Sequence, residues 1–570
     1  MKKIIYYFAV FSILAWLSLL RTTDSVYGVY LVLGAASLSA HAYNRRNKIS
    51  GVKPIVVLSI IFSALVLLAN YNIFRNFGIV EKVYGTVFLP VGGYFVFHSI
   101  LTWLRSFSLR FNWKNAKSKY SARKVFLLAF ACLSVIYIAT LLICCFPAVT
   151  TLDSFSQFRM IDTGAFSDHH PFYHTMLIKM VYSPVYAVIG NKSFAIFCYA
   201  AFQAILMASI FAYSIMTLHQ LKINKKVIII VAAIFAFLPC HLVFSFTIWK
   251  DILFAGGTLL FVISSYRIIN TIGNTRIIDY VLAAFGAFSI CLLRNNGFYV
   301  FVATVLIFFV IFRRTQLRLF AVFVGVIALS FILKALIPVF GVTPTESTEA
   351  YSIPLQQIAR VVVDGGNISD EEREQIEKII SFDTIKREYL NYISDPIKGA
   401  VWDESGEYLS EHKMEYLSLW IKLGIKNPII YAKAWIDQTR GYWNGGYPYW
   451  NIVVENYYRP EGEKPSFFNK ALEYYISFFN NFTLIRVLLS IGLYVWIGII
   501  IVYLAIVRRD KCVAFLMVAP LGVIATLLIA TPVYAEFRYA YSMFCCVPFV
   551  VPLLFVKQPV PKGVNKLKKQ

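Results

Sequence analysis

Apolar runs of about twenty residues recur along this chain from residue 4 to residue 556. Lipid offers an open backbone no hydrogen bonds, so runs of this length cross a bilayer as helices. A single anchor cannot account for so many of them. Of the residues, 59% are hydrophobic and only 15% charged, against roughly half and a quarter in soluble domains. The expected fold class is therefore an all-α polytopic membrane protein with about 14 transmembrane helices. They lie near 4–20, 26–42, 54–72, 84–104, 125–146, 192–219, 227–246, 251–269, 277–293, 298–312, 318–338, 482–507, 512–531 and 537–556. Met1-Lys2-Lys3 before the first run imitates a signal peptide, but no clear small-residue cleavage site follows, and a first transmembrane helix is the better reading.

The formal net charge is +24. No basic soluble module carries it, which argues against nucleic-acid binding. Lys and Arg instead crowd short loops: Arg45/Arg46/Lys48/Lys53, Arg105–Lys124, Lys222/Lys225/Lys226, Arg313/Arg314/Arg318, Arg508/Arg509/Lys511 and the tail Lys562–Lys569. The positive-inside rule puts them all on the cytoplasmic side. This works only if 171–190, with its His174, Lys179 and Pro184, lies along the outer interface and does not cross. Both termini are then cytoplasmic in the cell membrane. The stretch 341–480 holds 21 of the 30 acidic residues and falls outside. Four regions follow: a four-helix module (1–124), a membrane core (125–338) with a first outer loop at 147–191, an α-rich extracytoplasmic domain (339–481), and C-terminal helices with a basic tail (482–570). All nine cysteines sit in apolar runs, without zinc-ligand spacing.

The segment 147–175 is the richest in chemistry. Asp153 lies just past the end of the fifth span, where an unpaired carboxylate is costly; it is either functional or a cap for a short helix, with Gln157 at near-helical spacing. Asp168-His169-His170-Pro171 offers a carboxylate and two imidazoles before a proline at a helix start. Acid–base support, phosphate contact or a metal site are open to it, as is a plain cap with interfacial histidines. Adjacent histidines cannot both face one point on a helix, which disfavours a metal; a divalent ion stays an open option and no cofactor is required. Trp249-Lys250-Asp251, Arg294-Asn295-Asn296-Gly297 and Glu536-Phe537-Arg538-Tyr539 place cations at the same level. Singly these are ordinary snorkelling anchors; together they make a basic rim suited to phosphate. Gln357 and Arg360 could add contacts from the outer domain.

The motifs Asp153-Ser154-x-x-Gln157, Ser167-Asp168-His169-His170-Pro171, Trp249-Lys250-Asp251, Arg294-Asn295-Asn296-Gly297, Pro354-Leu355-Gln356-Gln357 and Arg538-Tyr539 resemble the GT-C superfamily of membrane glycosyltransferases, which includes protein O-mannosyltransferases and bacterial aminoarabinose transferases. They are most similar to a largely uncharacterised bacterial polytopic group related to it. The resemblance covers about 145–556 and leaves out the first four helices. It implies a polyprenyl-phosphate sugar donor and transfer on the outer face to an envelope glycan, lipid or protein. On that basis Asp153 is the expected general base, aided by Asp168 or His169. Lys250, Arg294 and Arg538 would hold the donor phosphate, and Gln157, His170, Asp251, Asn295, Gln357 and Arg360 would complete substrate binding. Many relatives carry two acids adjacent or one apart; here Ser154 and Phe155 follow Asp153. Two rival functions remain: flipping of a lipid-linked sugar, which should place charges near the bilayer midplane, and polymerisation or ligation of a surface polysaccharide, which shares the lipid-linked substrate and the outer face.

Overall fold

The computed structural model describes residues 2–21, 27–76, 78–113, 120–272, 276–345, 347–447 and 466–556. Asp24, Lys114, Lys117, Lys119, the basic tail and residues 448–465 of the acidic stretch lie outside them. Among the described residues every regular element is a helix, and the only β-type pairings are isolated bridges. Eight helices are long and apolar enough to cross a membrane: Lys3–Leu20, Ile79–Arg110, Ala122–Cys144, Lys192–Gln220, Lys250–Ile269, Asn295–Phe312, Leu317–Phe340 and Lys511–Ala530. Four shorter apolar helices, Lys53–Ala69, Ile277–Leu292, Ile491–Val507 and Phe537–Leu553, fall at further expected spans.

Two expected spans look different. Residues 27–46 form a helix, but its buried face mixes Val29 and Tyr30 with small and polar residues, among them Gly34, Ser37 and Asn44. Small residues let helix backbones approach closely. Residues 227–246 break into Lys225–Phe237 and Pro239–Phe244. The break is at Leu238, whose backbone is extended (ψ 126°), as expected of a residue before proline. The 482–507 run also starts late: Ser490 caps the Ile491–Val507 helix by accepting from the Leu493 N–H at 3.2 Å.

The first helices form a bundle on Ile79–Arg110, which also packs on Ile491–Val507. The acidic stretch folds around its own core, which includes Leu355, Ile358, Val361, Ile385, Val401 and Leu419. The helix Pro428–Trp443 ties it to the rest. There the buried Asp437 carboxylate accepts from Arg360 Nη1 at 2.6 Å and from the Tyr71 hydroxyl at 2.8 Å. The N-terminal module thus braces the polar domain directly.

Candidate functional site

Two chain turns are clipped together to make the site. Residues 147–151 run beside 247–249, with a parallel bridge between Val149 and Thr247 and the Ile248 N–H donating to the Val149 carbonyl at 3.0 Å. Ser154 Oγ accepts from the Thr151 N–H at 3.1 Å and donates to the Ile248 carbonyl at 2.6 Å. Trp249 Nε1 donates to Thr151 Oγ1 at 2.6 Å, and buried Gln203 donates to the Thr247 carbonyl at 2.7 Å. The clip fixes the start of the Leu152–Thr163 helix, with Asp153 in its first turn, beside Lys250 at the start of Lys250–Ile269. A third helix start, Asn295–Phe312 with Arg294 at its N-cap, borders the same space. Helix N-termini carry partial positive charge and bind anions readily.

These groups line a cavity of about 1020 Å³. Arg538 Nη1 donates to Asp153 Oδ2 at 2.5 Å, and Arg538 Nε is 3.5 Å from Glu536. The Arg538 guanidinium lies 4.8 Å from the Trp249 ring centre. Arg294 lies 4.7 Å from the Tyr539 ring centre and 3.0 Å from the fully buried Asp251. Lys250 Nζ sits 3.5 Å from His170 Nδ1. Burial pulls on these groups in opposite directions. It would raise the Asp153 carboxyl, but Arg538 and Lys250 prevail and hold it well below the usual carboxylate range. Burial, reinforced by Lys250, pushes His170 down to about 3, so this imidazole is neutral at physiological pH. Burial also raises Asp168 and Glu536.

Of the expected site residues, Asp153, His169, His170, Lys250, Arg294, Asn295 and Arg538 line this one cavity. The others do not border it. Asp251 backs Arg294 from within the protein. Asp168 Oδ1 accepts from the Phe172 N–H at 3.1 Å, at the start of the Phe172–Ile189 helix, and its backbone is held by Thr343 and Thr345. Gln157, 1% exposed, donates to Thr175 Oγ1 at 2.9 Å and lies 2.9 Å from His174 Nδ1, joining two helices. Gln357 is held by Trp420 and the Tyr431 carbonyl inside the polar domain. Arg360 belongs to the Asp437 cluster. All five are buried or tied down by partners within the protein, so any effect on a cavity ligand is indirect.

The polar domain supplies the opposite wall, which sequence reasoning missed. Lys398 Nζ lies 2.8 Å from both Glu349 and Asp395, and Trp402, Tyr351 and Lys413 stand nearby on that wall. No local motif marks these residues; only the folded domain brings them to the cavity. Among the described residues no three His, Cys, Asp or Glu side chains group to hold a metal ion. Asp153 already faces Arg538, so the residues lining this cavity do not fit a metal ion.

Fold and site define a multi-helix membrane protein with a cationic cavity at the ends of its helices. Residues 160–566 match the model of a family described as "Family of unknown function (DUF6020)", and the chain belongs to that family. The match contains Lys250, Arg294 and Arg538 and begins after Asp153. No curated protein and no solved structure matches the chain.

Proposed function

We propose that the protein transfers a sugar from a polyprenyl-phosphate donor to an envelope acceptor. The observation that carries this reading is the pairing of Asp153 with Arg538 inside a cavity also lined by Lys250, Arg294 and three helix starts. In this reading the fold is GT-C-like with about 14 spans. Both termini are cytoplasmic and the cavity opens on the extracytoplasmic face. The placement of basic loops supports that orientation.

The donor phosphate binds Lys250, Arg294 and Arg538. Asp153 removes the proton from the acceptor hydroxyl. The acceptor oxygen bonds to the anomeric carbon, the bond from that carbon to the phosphate oxygen breaks, and polyprenyl phosphate leaves with the electron pair. One displacement inverts the anomeric centre. Neutral His170 can accept a hydrogen bond from the substrate without repelling Lys250. Arg538 has a double task. Without donor it neutralises Asp153; an arriving phosphate competes for it, and weakening the Asp153 contact raises that carboxyl toward ordinary basicity. General-base assistance contributes about 10²–10⁴-fold.

The test uses membrane vesicles supplied with radiolabelled polyprenyl-phosphate monosaccharides. Wild-type protein should release label from the lipid into an acceptor. Asp153→Asn, present at the same level, should release none. Label that changes leaflet but stays on the lipid would indicate transport and overturn the reading.

A further inference from the structure

The cavity has two chemically different halves. The half at the helix starts is cationic and suits phosphate. The half built by the 341–480 domain carries an aromatic plate, two carboxylates and a buried lysine, and the phosphate reading leaves it without a task.

Its geometry is specific. Asp395, Lys398, Gly399 and Trp402 follow one another at helical spacing on the Asp395–Glu411 helix, and all four line the cavity. Trp402 is 49% exposed, so one side of its ring is open. A methyl group added at Gly399 would meet nothing within 4 Å. Packing therefore does not demand this glycine, although glycine is a poor helix former. It leaves a clear ledge beside the indole. Lys398 is nearly buried and holds Glu349 and Asp395, each at 2.8 Å, while their side chains remain 35% and 50% exposed. Both carboxylates are thus fixed in place yet keep accepting capacity. Thr348 also lines the cavity; it is 1% exposed and, like several other buried hydroxyls, has no hydrogen-bond partner among the described residues.

An open indole face flanked by anchored acceptors and a waiting hydroxyl matches a saccharide ring. Such a ring has an apolar C–H face for the aromatic plate and hydroxyls around its edge for the carboxylates. A peptide backbone can donate to those carboxylates but offers the indole no C–H face ringed by hydroxyls; a lipid chain would leave them with no donor at all. The two halves also adjoin. His170, beside Lys250, has its ring 4.8 Å from that of His169, which in turn lies 6.5 Å from that of Trp402. The volume of about 1020 Å³ is at the top of the range for ligand sites and leaves room for more than one sugar.

We infer that the polar-domain wall is the acceptor subsite and that it binds a carbohydrate, one ring stacked on Trp402 and its hydroxyls held by Glu349 and Asp395. The acceptor role rests on the proposed transfer reaction; the carbohydrate chemistry rests on this wall alone.

The test reads binding without turnover, so its failure and that of the transfer reading are separate results. Full-length protein in lipid nanodiscs is titrated with neutral oligosaccharides cut by mild acid from the envelope polysaccharide of the producing cell, and saturation-transfer NMR reports contact. Wild type should bind, Trp402→Ala should weaken binding about tenfold, and Trp402→Phe should keep most of it. Glu349→Gln should weaken it by a smaller factor. Matching circular dichroism across the variants shows that they fold. The inference is overturned if wild type binds no oligosaccharide, if Trp402→Ala binds as well as wild type, or if only a Ser/Thr peptide competes for the site.

Discussion

The contact between Arg538 and Asp153 can be measured as a free energy. The two atoms are 2.5 Å apart, and the side chains are 17% and 27% exposed. Breaking a fully buried ion pair costs about 3–5 kcal/mol, and breaking an exposed one about 0–1. This pair lies between those limits. One guanidinium nitrogen meets one carboxylate oxygen, and Lys250 still neutralises Asp153 when Arg538 is gone. A coupling energy of about 2 kcal/mol follows. The perturbation is a double-mutant cycle of Arg538→Gln and Asp153→Asn. The assay is unfolding by sodium dodecyl sulfate titration in mixed micelles, followed by far-ultraviolet circular dichroism. The double variant should lose less stability than the sum of the two single losses, because each single variant leaves its partner's charge less well compensated. Strictly additive losses would show that the contact is not a coupled pair and would remove the basis for Arg538 exchanging between carboxylate and phosphate.

Three further outcomes follow from the same structure. Gln157→Ala should destabilise by about 1–3 kcal/mol in the same titration, because it strands buried His174 and Thr175; an unchanged midpoint would contradict the clamp. His170 and His174 are both held down to about 3 by burial. The unfolded chain therefore binds more protons than the folded one between roughly pH 3 and 6.5, and stability falls as pH drops through that window, by up to about 1.4 kcal/mol per unit per histidine. Titrations at pH 7.5 and 5.5 should show the loss, and His170→Asn should reduce it; equal midpoints would refute the assignment. Asp437→Asn removes the charge shared by Arg360 and Arg440 and should cost about 3–5 kcal/mol. Limited proteolysis should then show the polar domain loosening from the N-terminal helices, and an unchanged digest would speak against bracing.

Helices were legible where they are long and uniformly apolar, because hydropathy is a local property. The exceptions have local causes: proline at 239 splits one run, Ser490 delays another, and small polar residues lower the apolarity of 27–46. The cationic half of the site was legible because Asp153, Lys250, Arg294 and Arg538 each sit next to the end of an apolar run. Their pairing was not, since Asp153 and Arg538 are 385 residues apart. Gln157, Gln357 and Arg360 looked like ligand contacts because they are polar residues inside motifs; the structure buries them among internal partners. Trp402, Lys398 and Thr348 gave no local signal. They belong to elements of the polar domain whose placement depends on packing across that domain.

The central claim is sugar transfer with Asp153 as the base. It is tested most directly by comparing the envelope glycans of three strains: a deletion strain, the same strain carrying the wild-type chain, and the same strain carrying Asp153→Asn at equal membrane levels. One sugar should be present with wild type and missing from both of the others. A complete wild-type glycan in the Asp153→Asn strain would contradict it.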